Sequence, residues 1–156
     1  MVIYRTGDIF ECLKEGVEVI VNPVNCWGVM GKGLALAFKE KFPGYYWHYV
    51  EECRHGKIAV NRGSIYYTSS NEAKFIIYSF ATKDNWRHSS SLETIKLGLK
   101  GLISNVKFLE IKSIAIPALG CGNGGLDWLD VKPLIEKAFK KLPDIDVYLY
   151  GPLEGN

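Results

Sequence analysis

The chain has 156 residues, 47% hydrophobic and 23% charged, with a net charge of +2. That length suits one ordinary domain, long enough to bury a core without disulfide or metal staples. A charge so near neutrality excludes an argument for nucleic acid from overall electrostatics, so such a partner would have to be met by local positive charge.

Residues 1–5 (Met-Val-Ile-Tyr-Arg) enter a strand pattern at once, with no signal peptide ahead of it,. Residues 17–21 form a second strand. Leu34, Ala37, Phe38 and Phe42 then share one helical face, and Pro43 with Gly44 stops that helix. A further helix spans about Tyr45 to Cys53. Residues 64–67 and 75–78 are strands. The clearest helix begins near Ser90: Ser90 and Glu93 make a capping-box pattern, and Leu92, Ile95, Leu99, Leu102, Ile103 and Val106 keep helical spacing,. Residues 113–116 form a strand. A last helix follows Asp130 as its N-cap, with Val131, Leu134, Ile135, Ala138 and Leu142 inward and Pro133 in the first turn, where a missing N–H is harmless,. Residues 147–150 close the chain as a strand. Several strands are apolar on both faces, so the sheet is covered on both sides. Strands alternating with helices predict a three-layer α/β/α sandwich.

No apolar run approaches the ~20 residues of a membrane span. Nor does any repeat or linker divide the chain, which reads as one domain over residues 1–156. Cys12, Cys26, Cys53 and Cys121 form no CxxC pair or His/Cys cluster and read as reduced thiols of a cytoplasmic protein,. Neither metal nor cofactor is expected.

In such sheets ligands bind beyond the carboxyl ends of the strands, which directs attention to residues 22–33, 81–88 and 118–125. The first loop runs from Asn22 through Asn25 to Gly31, Lys32 and Gly33. Its glycines allow close backbone approach, and a helix N-terminus follows, which favours anions. Asn25 can both donate and accept, as a sugar hydroxyl requires. A tight strand-to-helix turn with a structural Asn is the alternative. The last loop holds Leu119, Gly120, Cys121, Gly122, Asn123, Gly124 and Gly125. With four glycines it is either a backbone cradle for phosphates or a flexible turn, and the entropy cost of so many glycines favours the cradle. Neither loop fits a Walker A or a Rossmann fingerprint. In the middle loop Lys83 is either a solvated lysine or, partly desolvated at a strand exit, a nucleophile toward a sugar carbon. Trp86, Arg87 and His88 form a cationic-aromatic cluster of the kind that stacks on bases, although Trp86 could equally pack under the next helix.

Together these segments resemble the macrodomain family over nearly the whole chain. Gly7-Asp8-Ile9 is similar to the family's G-D-[IL] segment, residues 21–25 to its V-N-x-x-N segment, and residues 117–122 to its P-x-[IL]-G-x-G loop. The resemblance implies a sandwich with a mixed central sheet. It also implies adenine bound by Asp8 beside Ile9, distal ribose faced by Asn25 with Asn22 nearby, and pyrophosphate held by residues 31–33 and 119–125. Residues 25–35 resemble the branch holding the terminal ADP-ribose protein glycohydrolase and the DarG antitoxins, in which a lysine after the central strand is catalytic. Lys83 matches it. Gly124 stands where the protein glycohydrolase carries an Asp, which favours a DarG-type substrate. The implied activity is removal of ADP-ribose from thymidine of single-stranded DNA, against a DarT-type toxin. An ADP-ribose reader without turnover, a nucleic-acid-binding module and a hydrolase of ADP-ribosylated protein glutamate are the alternatives.

Overall fold

The computed structural model describes residues 1–85 and 87–152. Its strands are β1 (Val2–Arg5), β2 (Val19–Val24), β3 (Ser64–Ser70), β4 (Ala73–Ala81), β5 (Ser113–Ile116) and β6 (Asp146–Tyr150). They lie in the order β1-β6-β5-β2-β4-β3. All neighbours are parallel except β3, which returns antiparallel along β4, so the sheet is mixed as expected.

The period-two alternation of side chains divides the core in two. On one face Val19, Val21, Ile76, Tyr78, Phe80, Ile114 and Ile116 pack against α3 (Leu92–Phe108) and α4 (Trp128–Phe139). On the other, Ile20, Ile77 and Ala115 meet a 3-10 turn (Ile9–Glu15), α1 (Gly33–Lys41) and α2 (Pro43–Arg54). This is the three-layer sandwich that the sequence predicts. Helix α3 lies close on β4. A Cβ at Gly98 would stand 2.4 Å from Cζ of Phe80, which explains a glycine where it costs the helix about 1 kcal/mol relative to alanine.

Several boundaries depart from expectation. Strand β2 starts at Val19 and runs through Pro23 to Val24. Only Val19 and Ile20 pair with β5, so at Pro23 the pairing is with β4 alone and a missing N–H is tolerated,. Pro43 ends α1 but also opens α2 in its first turn, two residues before the expected start,. The cap of α3 is Ser91, whose Oγ accepts from the Thr94 N–H at 3.1 Å, and not Ser90. Ser90 is buried, and its N–H donates to the Gly124 carbonyl at 3.0 Å. The cap of α4 is Asp127, which accepts from the Leu129 N–H at 2.9 Å, and not Asp130. Trp128 packs on the core, drawing the first turn inward. Pro133 therefore falls inside the helix, and the carbonyl it leaves without an N–H belongs to exposed Leu129, where water can reach it,.

Candidate active site

Five parallel strands point their carboxyl ends at one cleft of about 1400 Å³. Asp8 and Ile9 follow β1, Asn25 follows β2, Lys83 follows β4, Ala118 follows β5 and Gly151 follows β6. The cleft exceeds the ~300–1,000 Å³ of ordinary small-molecule pockets, so a ligand of several linked parts fits it. Asp8 caps the 3-10 turn, accepting from the Phe10 N–H at 2.9 Å through Oδ1.

One wall is the loop over residues 25–33, and side chains hold it. Asn25 Oδ1 accepts from the N–H of Trp27 at 2.9 Å and from that of Val29 at 3.4 Å, while its Nδ2 donates to the Val29 carbonyl at 2.7 Å. Tyr49, fully buried in α2, aims its hydroxyl at both the carbonyl and Oδ1 of Asn25, at 2.8 and 3.0 Å. Burial pushes the Tyr49 phenol far above its usual pKa, so it stays a donor,. One turn earlier Tyr45 accepts from Asn22 Nδ2 at 2.9 Å and shares a 2.6 Å hydrogen bond with Ser79. Helix α2 thus grips both asparagines of the V-N-x-x-N segment. Gly31, Lys32 and Gly33 carry the wall into α1. Lys32 occupies the N-cap position without a side-chain cap bond, and the α1 N-terminus faces the cleft with its positive dipole end,.

The opposite wall is the loop over residues 118–125, and backbone holds it. The Cys121 N–H donates to the Ala118 carbonyl at 3.1 Å, that of Gly125 to Gly122 at 3.2 Å, and that of Leu126 to Gly120 at 2.9 Å. Gly120, Gly122, Asn123 and Gly124 line the cleft. A Cβ at Gly124 would lie 2.4 Å from the Gly120 carbonyl oxygen and 2.5 Å from Ser90 Oγ, whereas at Gly122 it would meet nothing within 4 Å. An aspartate at position 124 therefore has no room in this loop.

Lys83 stands between the walls, partly buried. Burial lowers its pKa below the usual lysine value, and the charge of Lys32 lowers it further,. The Cys26 N–H donates to the Asp84 carbonyl at 2.9 Å, tying the lysine's segment to the first wall. Burial, helped by Asp84, pushes the Cys26 thiol up to about 12, and burial takes Cys12 to about 12 and Cys121 to about 11. Arg87 and His88 lie on the cleft rim. Trp86, expected beside them, lies outside the described residues.

Four expected ligand contacts are not on the wall. Asn22 and Leu119 are 0% exposed and sit beneath the two loops. Cys121 and Gly125 spend their N–H groups on the loop's own turns. Conversely, Phe10, Thr82, Ser89, Tyr150 and Pro152 line the cleft without having been singled out. Position after a strand, which brings Thr82 into view with residues 81–88 though without a role, could have flagged Pro152 too, but nothing in the local sequence marks the others. Among the described residues no group of three His, Cys, Asp or Glu side chains gathers at metal-binding distance, and no helix is long and apolar enough to cross a membrane.

The Macro domain family matches residues 21–135, and the chain belongs to that family. The chain is 41% identical over 156 residues to a DNA ADP-ribosyl glycohydrolase of Mycobacterium tuberculosis, covering 100% of this chain and 44% of that protein. Another DNA ADP-ribosyl glycohydrolase, from Thermus aquaticus, is 43% identical over 142 residues, covering 91% and 39%. The chain thus spans less than half the length of these curated relatives. The solved macrodomain of Mycobacterium tuberculosis DarG superposes with a TM-score of 0.91 at 41% identity, covering 97% of this chain and 98% of that one.

Proposed function

We propose that residues 1–156 act as one macrodomain that removes ADP-ribose from thymidine of single-stranded DNA, as a cytoplasmic antitoxin to a DarT-type DNA ADP-ribosyltransferase. The observation that carries this reading is Lys83: a lysine with a depressed pKa, at a strand exit, between a helix N-terminus and a glycine loop. The activity for which the relatives from Mycobacterium tuberculosis and Thermus aquaticus are named supports it. So does a Thermosipho africanus DarTG structure in complex with ADP-ribose, similar at a TM-score of 0.87 and 33% identity over 98% of this chain and 42% of that one.

In this reading Asp8 accepts from the adenine amino group through its carboxylate. The N–H groups at residues 31–33 and at Gly122, Asn123 and Gly124 hold the pyrophosphate. Asn25 already spends one Nδ2 hydrogen on Val29, and offers the other to the distal ribose. The neutral amine of Lys83 donates its electron pair to the anomeric carbon as the bond to the base breaks. The base leaves with that bond's electron pair and takes up a proton. Water then cleaves the lysyl adduct, freeing ADP-ribose and the amine. Arg87 and His88 face the phosphates of the strand.

The test is release of labelled ADP-ribose from modified single-stranded DNA and, separately, from modified protein, by wild type, Lys83→Ala and Lys83→Arg. Wild type should act on the DNA. Both variants should lose orders of magnitude in rate while keeping ADP-ribose affinity, because Ala lacks the amine and the guanidinium stays protonated. Near-wild-type rates in both variants would make Lys83 a bystander in a reader's cleft. Release only from protein would reassign the substrate.

A further inference from the structure

Trp27 is 58% exposed, although the loop that carries it is fixed. Its own N–H is bound to Asn25 Oδ1 at 2.9 Å. The next residue, Gly28, has φ +86° and comes so close to α2 that a Cβ there would touch Cys53 and Val50. The preceding residue, Cys26, is tied through its N–H to Asp84, and its thiol lies 3.9 Å from the Lys83 carbonyl oxygen. The indole therefore stands one residue from the junction of the two loops that carry Asn25 and Lys83. None of its exposure serves the core, and it is not among the residues that line the cleft itself. Lys32 and Arg87 supply positive charge at the cleft, in a chain whose net charge is only +2. A large aromatic face on a fixed backbone, two residues from Asn25 on one side and from Val29 on the other, both of which line this basic cleft, has the features of a stacking platform for an unpaired base,.

We propose that Trp27 stacks on a nucleobase next to the modified thymidine, and so makes the enzyme prefer a strand over an isolated modified nucleotide. The proposal rests on the DNA glycohydrolase reading above. An indole alone does not choose among bases, so the contribution is to strand affinity and not to sequence preference.

Two oligonucleotides of equal length and charge test it. Both carry one ADP-ribosylated thymidine. In the first its neighbours are ordinary nucleotides, and in the second they are abasic sugars, so the phosphates are constant and only the flanking bases differ. Wild type should show kcat/KM about tenfold higher on the first, in the range of one base–aromatic stack. Trp27→Ala should act on the abasic strand like wild type and lose the preference, whereas Trp27→Phe should keep part of it. ADP-ribose affinity should be unchanged in both variants, confirming a folded cleft. No preference in wild type, a preference retained in Trp27→Ala, or an equal loss on both strands would overturn the stacking role. Release from neither strand by wild type would instead overturn the glycohydrolase reading itself.

Discussion

The two walls of the cleft are built on opposite principles. Residues 25–33 are shaped by side chains: the Asn25 carboxamide makes contacts in three directions, and Tyr49 reaches across from α2 to hold it. Residues 118–125 are shaped by backbone, with successive turns closed by main-chain bonds and Ser90 joined to Gly124 through its N–H. A side-chain wall is tunable, because each hydrogen bond can be removed singly. A backbone wall is intolerant, because its geometry depends on what is missing at Gly120 and Gly124.

The comparison is tested most severely at Gly124. Gly124→Ala forces a methyl group to within 2.4 Å of a main-chain oxygen, so the loop must move. Overpacking of this kind costs about 1–3 kcal/mol, and ADP-ribose binding should be lost in calorimetry. A Gly124→Ala variant that bound normally would show that the loop is pliable after all. Gly122→Glu is the counterpart: its Cβ enters open space, so melting should be near wild type while charge and bulk cut ADP-ribose affinity more than about tenfold. Unchanged affinity in that folded variant would put the phosphates elsewhere.

On the side-chain wall the effects should be smaller. Tyr49→Phe removes one donor from Asn25 but leaves the Trp27 and Val29 N–H groups in place, so it should cost about 1 kcal/mol. That corresponds to about 2–4 °C in melting temperature for a chain of this size. The loss in turnover should exceed the loss in ADP-ribose affinity; an equal fall in both would make Tyr49 a packing residue only. The mildest change is Lys32→Gln. It removes the positive charge that helps depress the Lys83 pKa, so that pKa should rise toward the ordinary lysine value. In the proposed mechanism the neutral amine is the active form and grows with pH, so the alkaline rise of kcat should move to higher pH. A profile that stayed put would mean that burial alone governs Lys83.

The same contrast explains what could be read from the sequence. Glycine spacing and strand ends announced the backbone wall, and strand alternation announced the sandwich, because both are local patterns. Local pattern does not say which glycine faces the cleft: Gly125 and Gly122 look alike until the turn bond between them is seen. Nor does it reveal partners distant in sequence. Tyr45 and Tyr49 read as core residues of a helix, and their grip on Asn22 and Asn25 depends on how α2 docks. The caps failed for a related reason. Ser90 and Asp130 each have an equally suitable neighbour, Ser91 and Asp127, and tertiary packing chose between them.

The guarded state of the thiols has a practical reach. A protonated, half-buried sulfur reacts slowly with alkylating reagents, and burial raises the pKa of all four thiols, Cys12, Cys26, Cys53 and Cys121. A cysteine placed at exposed Ser89, on the edge of the cleft and outside the phosphate cradle, would therefore outpace the native ones for a maleimide dye. The chain could carry a single fluorescent reporter at the cleft mouth without first being stripped of its own cysteines, and arrival of the nucleotide could be followed in real time.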